Sequence, residues 1–247
     1  MAVTVTTWAE FKSAIGTGNE VVELANDIDC ASEPVTSTIQ VRCAQVIGHD
    51  HKITRIVNTG PNYTFQLATG NPVFDHVKFT DIYHLPTSAS AAFLYGGITF
   101  NDCQFQGAFK YFTSGSVKFN RCTFSFADGT TGNNPIFDGS GYLKYCWADI
   151  GEQTFNNTNT YAIMTTAENC YFKGKLNGNF NRVAKSAGYC VFNIYSTVTA
   201  SISNTSVCLN NSDRAPHFTG ATNLTDTQLK DRAAVQATGF PLIDIGG

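Results

Sequence analysis

The phrase GGITFNDCQFQG, Gly96 to Gly107, is followed nineteen residues later by GSVKFNRCTFSF, Gly115 to Phe126. Aligned as (apolar)-x-x-Cys-x-(apolar), it recurs as Phe100/Cys103/Phe105, Phe119/Cys122/Phe124, Leu143/Cys146/Ala148, Ala167/Cys170/Phe172 and Ala187/Cys190/Phe192. The frame continues with the cysteine replaced, as Phe74/Val77/Phe79 before and Ile202/Thr205/Val207 after. Self-similarity on this scale constrains the whole architecture before any single element is assigned.

The central positions 77, 103, 122, 146, 170, 190 and 205 are separated by 26, 19, 24, 24, 20 and 15 residues. That irregular period suits one rung of a solenoid. No segment between the anchors carries sustained helical periodicity, which disfavours helical and leucine-rich repeats. The sequence therefore predicts a parallel β-helix of short strands, its rungs stacked at about 4.8 Å.

Within a strand side chains alternate, so Cys103 and Phe105 share a face; Phe100 joins them only if the chain turns a corner. The pattern puts Asn101 and Asn120 at that corner, because asparagine tolerates left-handed backbone. Asp75 and Gly188 are equally permissive, but Lys144 and Glu168 are not. Asn169 is the substitute beside Glu168; the Lys144 rung has no such explanation. Cys103, Cys122, Cys146, Cys170 and Cys190 are read as an inward column of small, soft side chains. Val77 and Thr205 in the same slot argue against ligands or bridges.

Both ends carry helix signals. TTWAEFKSAIG has Thr7 and Glu10 as a capping box, Trp8, Phe11 and Ile15 on one face, and Gly16 as the stop. LTDTQLKDRAAVQATGFP has a Leu224/Leu229 staple, a Thr225/Gln228 capping box and a Gly239-Phe240-Pro241 terminator. One helix near 226–238 is expected, with Leu229, Ala233 and Val235 against the last rung or a neighbouring subunit. The expected organisation is a single domain, 1–247, with 1–20 and 223–247 flanking strands over 21–222.

At 43% hydrophobic the chain can bury a core, and at 14% charged it is poor in charge. A net charge of -3 offers no basic surface for nucleic acid, and no apolar run reaches membrane-spanning length. The opening lacks the pattern of a secretory signal, so folding in a cytosol and free thiols are expected. Closely spaced metal-ligand cysteines are absent from the sequence, Cys30 and Cys43 being the nearest pair, and no metal or cofactor is expected. His49 and His51 read as a solvated turn, and His76, His84 and His217 as isolated surface residues. Asp102, Asp128, Asp138, Asp149 and Glu152 are candidate carboxylates, but none forms a recognisable acid/base pair. Turn chemistry is the simpler reading of each.

Residues flanking the inward slot face solvent in this frame. They include Tyr145, Trp147, Tyr171 and Tyr189, with Val191, whereas neighbouring rungs place His76, Lys78, Asp102, Gln104, Arg121 and Thr123 there. This local aromatic cluster has three readings: a subunit interface, a stacking platform for sugar rings, or packing under a loop of the same chain.

The opening TVTTWAEFKSAIGTGNEVVELANDIDC resembles the start of right-handed parallel β-helix proteins. F-N-x-C-x-F resembles the rungs of pectate-lyase-like and bacteriophage tailspike proteins, and NLTDTQLKDRAAVQATGFPLI is similar to the closing helix of β-helical phage appendages. The resemblance implies a virion component: a tailspike, tail fibre, baseplate or capsid-decoration protein, often a homotrimer. Phage depolymerases are usually longer, and no catalytic residue carries over. The expected function is non-enzymatic attachment or surface decoration alongside other virion proteins, with glycan binding. A polysaccharide hydrolase or lyase is the alternative, and a cellular carbohydrate-binding β-helix the third reading.

Overall fold

A computed structural model describes residues 2–241 apart from 19, 89, 133–134, 157–160, 181, 205 and 215–217. The described strands form sheets of ten, twelve and four strands, and neighbours within each are distant in sequence. Thr99–Asn101, for example, lies between Val73–Asp75 and Lys118–Asn120, in parallel on both sides. The fold is all-β with parallel sheets.

The register follows the repeat. Phe74, Phe100, Phe119, Leu143, Ala167 and Ala187 are successive partners in the ten-stranded sheet. Phe79, Phe105, Phe124, Ala148, Phe172 and Phe192 do the same in the twelve-stranded sheet. Between them lie Val77 and the five predicted cysteines, all buried. The amide after each slot donates to the carbonyl of the preceding slot: Thr123 to Cys103 at 3.0 Å, Trp147 to Cys122 at 3.1 Å, Tyr171 to Cys146 at 2.9 Å.

The column ends differently from expectation. Thr205 lies outside the described residues, and the register gives the slot after Cys190 to Cys208: Leu209 pairs with Val191, and its amide reaches Cys190 O at 2.9 Å. The frame slips because the register shifts along Ser201–Asn204, where Ala184 rather than Ala187 partners Ile202. Ala221 follows Cys208 in the slot, since Thr222 N donates to Cys208 O at 2.8 Å. From Val77 onward size selection survives, with Val77 and Ala221 as the non-cysteine members; the layer before Val77 places His51 there, Lys78 N donating to His51 O at 3.1 Å. All eight cysteines are free and buried.

Aromatic rings fill the interior. Phe79, Phe105 and Phe124 stack at 5.1 and 5.5 Å, and Phe100 stacks on Phe119 at 5.4 Å. Phe65, Phe93, Phe112 and Phe137 form a third wall, its T-shaped contacts including Phe65–Phe93 at 5.5 Å and Phe112–Phe137 at 5.6 Å. Each such pair contributes roughly 0.5–1.5 kcal/mol beyond its area burial. Phe65 and Phe137 belong to the four-stranded sheet and its bridges, and Phe93 and Phe112 directly precede its strands Leu94–Tyr95 and Thr113–Ser114; strands of two or three residues are too short for visible alternation.

The corners lie one residue later than predicted, except at Asn169, which is left-handed as expected. Left-handed backbone occurs at His76, Asp102, Arg121, Tyr145, Asn169 and Tyr189, immediately before the slot, with φ between 51° and 54°. Asp75, Asn101 and Asn120 instead end their strands and link layers through side chains. Asn101 Nδ2 donates to Asp75 Oδ1 at 2.7 Å, and Asn120 Nδ2 to Asn101 Oδ1 at 2.8 Å. Gly188, likewise expected at a corner, is the last strand residue before left-handed Tyr189. Lys144 and Glu168 occupy the continuing positions and form an ion pair at 3.0 Å. These positions select cross-layer partners rather than permissive backbone.

At the N-terminal end, strand Ala2–Val5 pairs with Val21–Leu24 before α1, Trp8–Gly16, closes over the first layer. Thr7 and Glu10 form the predicted capping box, and Trp8, Phe11, Ala14 and Ile15 are buried. The C-terminal helix is broken. Asp231 separates α2, Asp226–Lys230, from α3, Arg232–Ala237, and caps α3 through Ala233 N at 2.9 Å. Thr225 and Gln228 form the predicted box. These helices pack on the outer face of the twelve-stranded sheet, where Leu229 and Val235 join Val191, Leu209 and Phe240 in a cluster separate from the main core.

Candidate binding surface

The outward positions directly after the slot run Thr123, Trp147, Tyr171, Val191, Leu209. Polar at first, this column becomes aromatic and then aliphatic. The Trp147 and Tyr171 rings stack at 6.3 Å with an interplanar angle of 8°, one layer apart. Lys173 Nζ sits 5.0 Å from the Trp147 ring and 2.9 Å from Asp149 Oδ2, fixing a cation over the indole.

The other two predicted aromatics flank this pair differently. Tyr145 is 49% exposed at a left-handed corner beside Cys146. Tyr189 holds the equivalent corner two layers on, but its ring meets Phe240 edge-on at 6.2 Å. Tyr145 is therefore exposed and Trp147, Tyr171 and Tyr189 are half-buried, Tyr189 with a contact from the chain's own C-terminal segment.

Polar groups border the platform. Asn193 Nδ2 donates to Tyr171 Oη at 2.8 Å, while Asn193 Oδ1 accepts from Asn211 Nδ2 at 2.9 Å and Arg214 Nε at 3.0 Å. The Arg214 guanidinium lies 4.2 Å over the ring of Tyr195, which is 44% exposed. Tyr195 escaped the sequence reading, although outward alternation through Val191, Asn193 and Tyr195 carried its signal.

Beside the platform, a cleft of about 610 Å³ opens between the sheet and the C-terminal helices. Tyr171, Val191, Asn193 and Leu209 form its sheet side; Leu229, Val235 and Phe240 face them. Asp226, Lys230 and Arg232 bring charge to the lining. Lys230 Nζ lies 2.6 Å from Asp226 Oδ2, and that hydrogen bond holds the Asp226 carboxyl below its usual range.

The candidate carboxylates each have partners. Arg121 grips Asp102 through two bonds of 2.8 and 2.7 Å and lowers its pKa. Glu152 is lowered by Lys175 and then Asn177, at 3.0 and 2.6 Å. Asp128 accepts from Glu152 N at 2.7 Å, and Asp138 from Tyr111 Oη at 2.5 Å. A carboxylate stabilised as the anion is a poor proton donor.

The histidines divide. His49, left-handed with Asp50, is 3.8 Å from Glu23, and His51 is 3.3 Å from Asp27. His76 is an exposed corner, and His217 lies outside the described residues. His84 is fully buried, contrary to expectation: Thr64 Oγ1 lies 3.0 Å from Nδ1, and Nε2 donates to Ala91 O at 2.9 Å. Partners from two neighbouring segments, invisible in its local sequence, make the burial tolerable. No group of three metal-ligating side chains occurs among the described residues. Nor is any described helix long and apolar enough to cross a membrane.

No family model, curated protein or solved structure matches the chain.

Proposed function

We propose that the three parallel sheets wind as a single-domain, right-handed parallel β-helix, and that the protein is a non-enzymatic bacteriophage virion component binding a host surface glycan. Parallel crossovers are right-handed in about 98% of cases, and the layer-by-layer register supports the winding. In this reading the chain assembles as a homotrimer with other virion proteins, on a tail, baseplate or capsid, and multivalency strengthens weak individual contacts.

The observation that carries the binding reading is the Trp147–Tyr171 stack, with Lys173 over the indole and Asn193 on the tyrosine hydroxyl. Flat aromatic faces pack against the C–H faces of sugar rings, while the neighbouring amide and ammonium groups can meet hydroxyls. Arg121 and Lys175, which hold the carboxyls of Asp102 and Glu152 below their usual range, make these two poor proton donors and favour binding over cleavage.

The test is incubation with host capsule or lipopolysaccharide, following both retention and product formation. Retention of intact polysaccharide, weakened by Trp147→Ala, is expected. New reducing ends or unsaturated sugars would overturn the non-enzymatic reading in favour of a hydrolase or lyase.

A further inference from the structure

The cleft beneath the C-terminal helices has a different chemistry from the aromatic platform. Val191 and Leu209 on one side, and Leu229, Val235 and Phe240 on the other, present methyl groups and a ring. Sugar hydroxyls set against these apolar side chains, away from the polar lining of Asn193, Asp226, Lys230 and Arg232, would lose their water without replacement partners, which is unfavourable. At about 610 Å³ the cleft falls within the range of roughly 300–1,000 Å³ typical of small-molecule sites.

The charges give the ligand a head group. The carboxylate of Asp226 is engaged by Lys230 at 2.6 Å and by Asn211 at 3.5 Å. Asp231 faces Ala233 N as the cap of α3. Arg232, in the cleft wall, has no carboxylate partner among the described residues. The lining therefore combines an apolar interior with an available guanidinium, which suits an apolar body ending in one anion.

We propose that this cleft binds an amphipathic carboxylate: an unbranched acyl chain lying along Val191, Leu209, Val235 and Phe240, its carboxylate meeting Arg232. The site is separate from the platform, sharing Tyr171 at their boundary, and does not depend on glycan binding.

Calorimetric titration of the full chain with decanoate, decanol and galacturonate, below any micelle-forming concentration, tests the assignment. One equivalent of decanoate is expected to bind, with decanol several-fold weaker and galacturonate neither binding nor competing. Arg232→Ala should reduce decanoate affinity about fivefold and leave decanol unchanged, the scale of one partly exposed charge contact. Arg232→Lys should recover part of the loss. Leu229→Gln, at a partly exposed helix position, should weaken both decyl ligands. No decanoate binding, equal affinity for decanoate and decanol, indifference to Arg232→Ala, or competition by galacturonate would each overturn the proposal. A decanoate-sensitive dimer in sedimentation velocity would also overturn it, making the cleft an interface between copies.

Discussion

Asn120 Nδ2 donates to Asn101 Oδ1 at 2.8 Å, and Asn101 Nδ2 donates to Asp75 Oδ1 at 2.7 Å. The second bond fixes the amide orientation needed for the first. Asn120→Ala should destabilise the fold by about 1 kcal/mol through the lost bond. Asn120→Asp should cost more at neutral pH, because its carboxylate would face Asn101 Oδ1. Below the ordinary aspartate range a protonated acid can donate, and the gap between the variants should close. Urea denaturation at both pH values measures this.

His84 gives stability a pH dependence. Burial pushes its pKa down to about 4, outweighing the backbone bond to Ala91. An unfolded histidine titrates near 6.5, so between these values the unfolded chain binds the extra proton and folding weakens as pH falls. The contribution is full above pH 6.5, declines through that window and is gone below about 4; its scale is roughly 3 kcal/mol. Histidine NMR should find this ring still neutral at pH 5, and urea midpoints should fall across the same interval. A His84 titration near 6.5 would contradict the burial argument.

The cysteine slot selects size. Cys146→Val, which repeats the side chain that Val77 already places in this column, should cost less than about 1.5 kcal/mol, whereas Cys146→Leu should cost about 1–3 kcal/mol by overpacking. Burial raises the pKa values of Cys122, Cys170 and Cys190 well above that of an ordinary thiol. A thiol reagent should therefore label none of these three before the protein unfolds. Rapid labelling of the native state would show an open column.

Layer contact makes Gly139 hard to replace. Its φ is +110°, and an added Cβ would lie 1.7 Å from Gly115 O. Gly139→Ala should cost more than about 2 kcal/mol through backbone strain and forced separation of the layers. Gly18→Ala meets nothing within 4 Å and should be near neutral. Thermal denaturation of the pair separates the combined effect of strain and layer contact from the general effect of adding a methyl group.

The repeat was legible because its apolar anchors and cysteines occupy the same ladder positions through most of the chain. Phe100 and Phe119 are partners as their phrases align, and Phe105 and Phe124 likewise. Except at Asn169, the corner was displaced by one residue because asparagine has two uses: tolerance of left-handed backbone and cross-layer amide bonding. At Asn101 and Asn120 the second prevails. Tyr145 and Arg121 accept the left-handed conformation without any propensity signal, since the adjoining strands dictate it. Of the candidate site, the outward aromatics were readable from alternation. The cleft was not, because it depends on Asp231 breaking the last helix and on Phe240 returning to Tyr189.

Polysaccharide binding by the intact protein and by Trp147→Ala, measured by surface plasmon resonance on immobilised host capsule, tests the central claim most directly. Truncation of Trp147 removes one face of the stack with Tyr171 and should weaken binding at least about fivefold, with the oligomeric state retained and the thermal midpoint lowered only slightly. Equal binding by the two proteins would contradict a glycan-binding role for this surface.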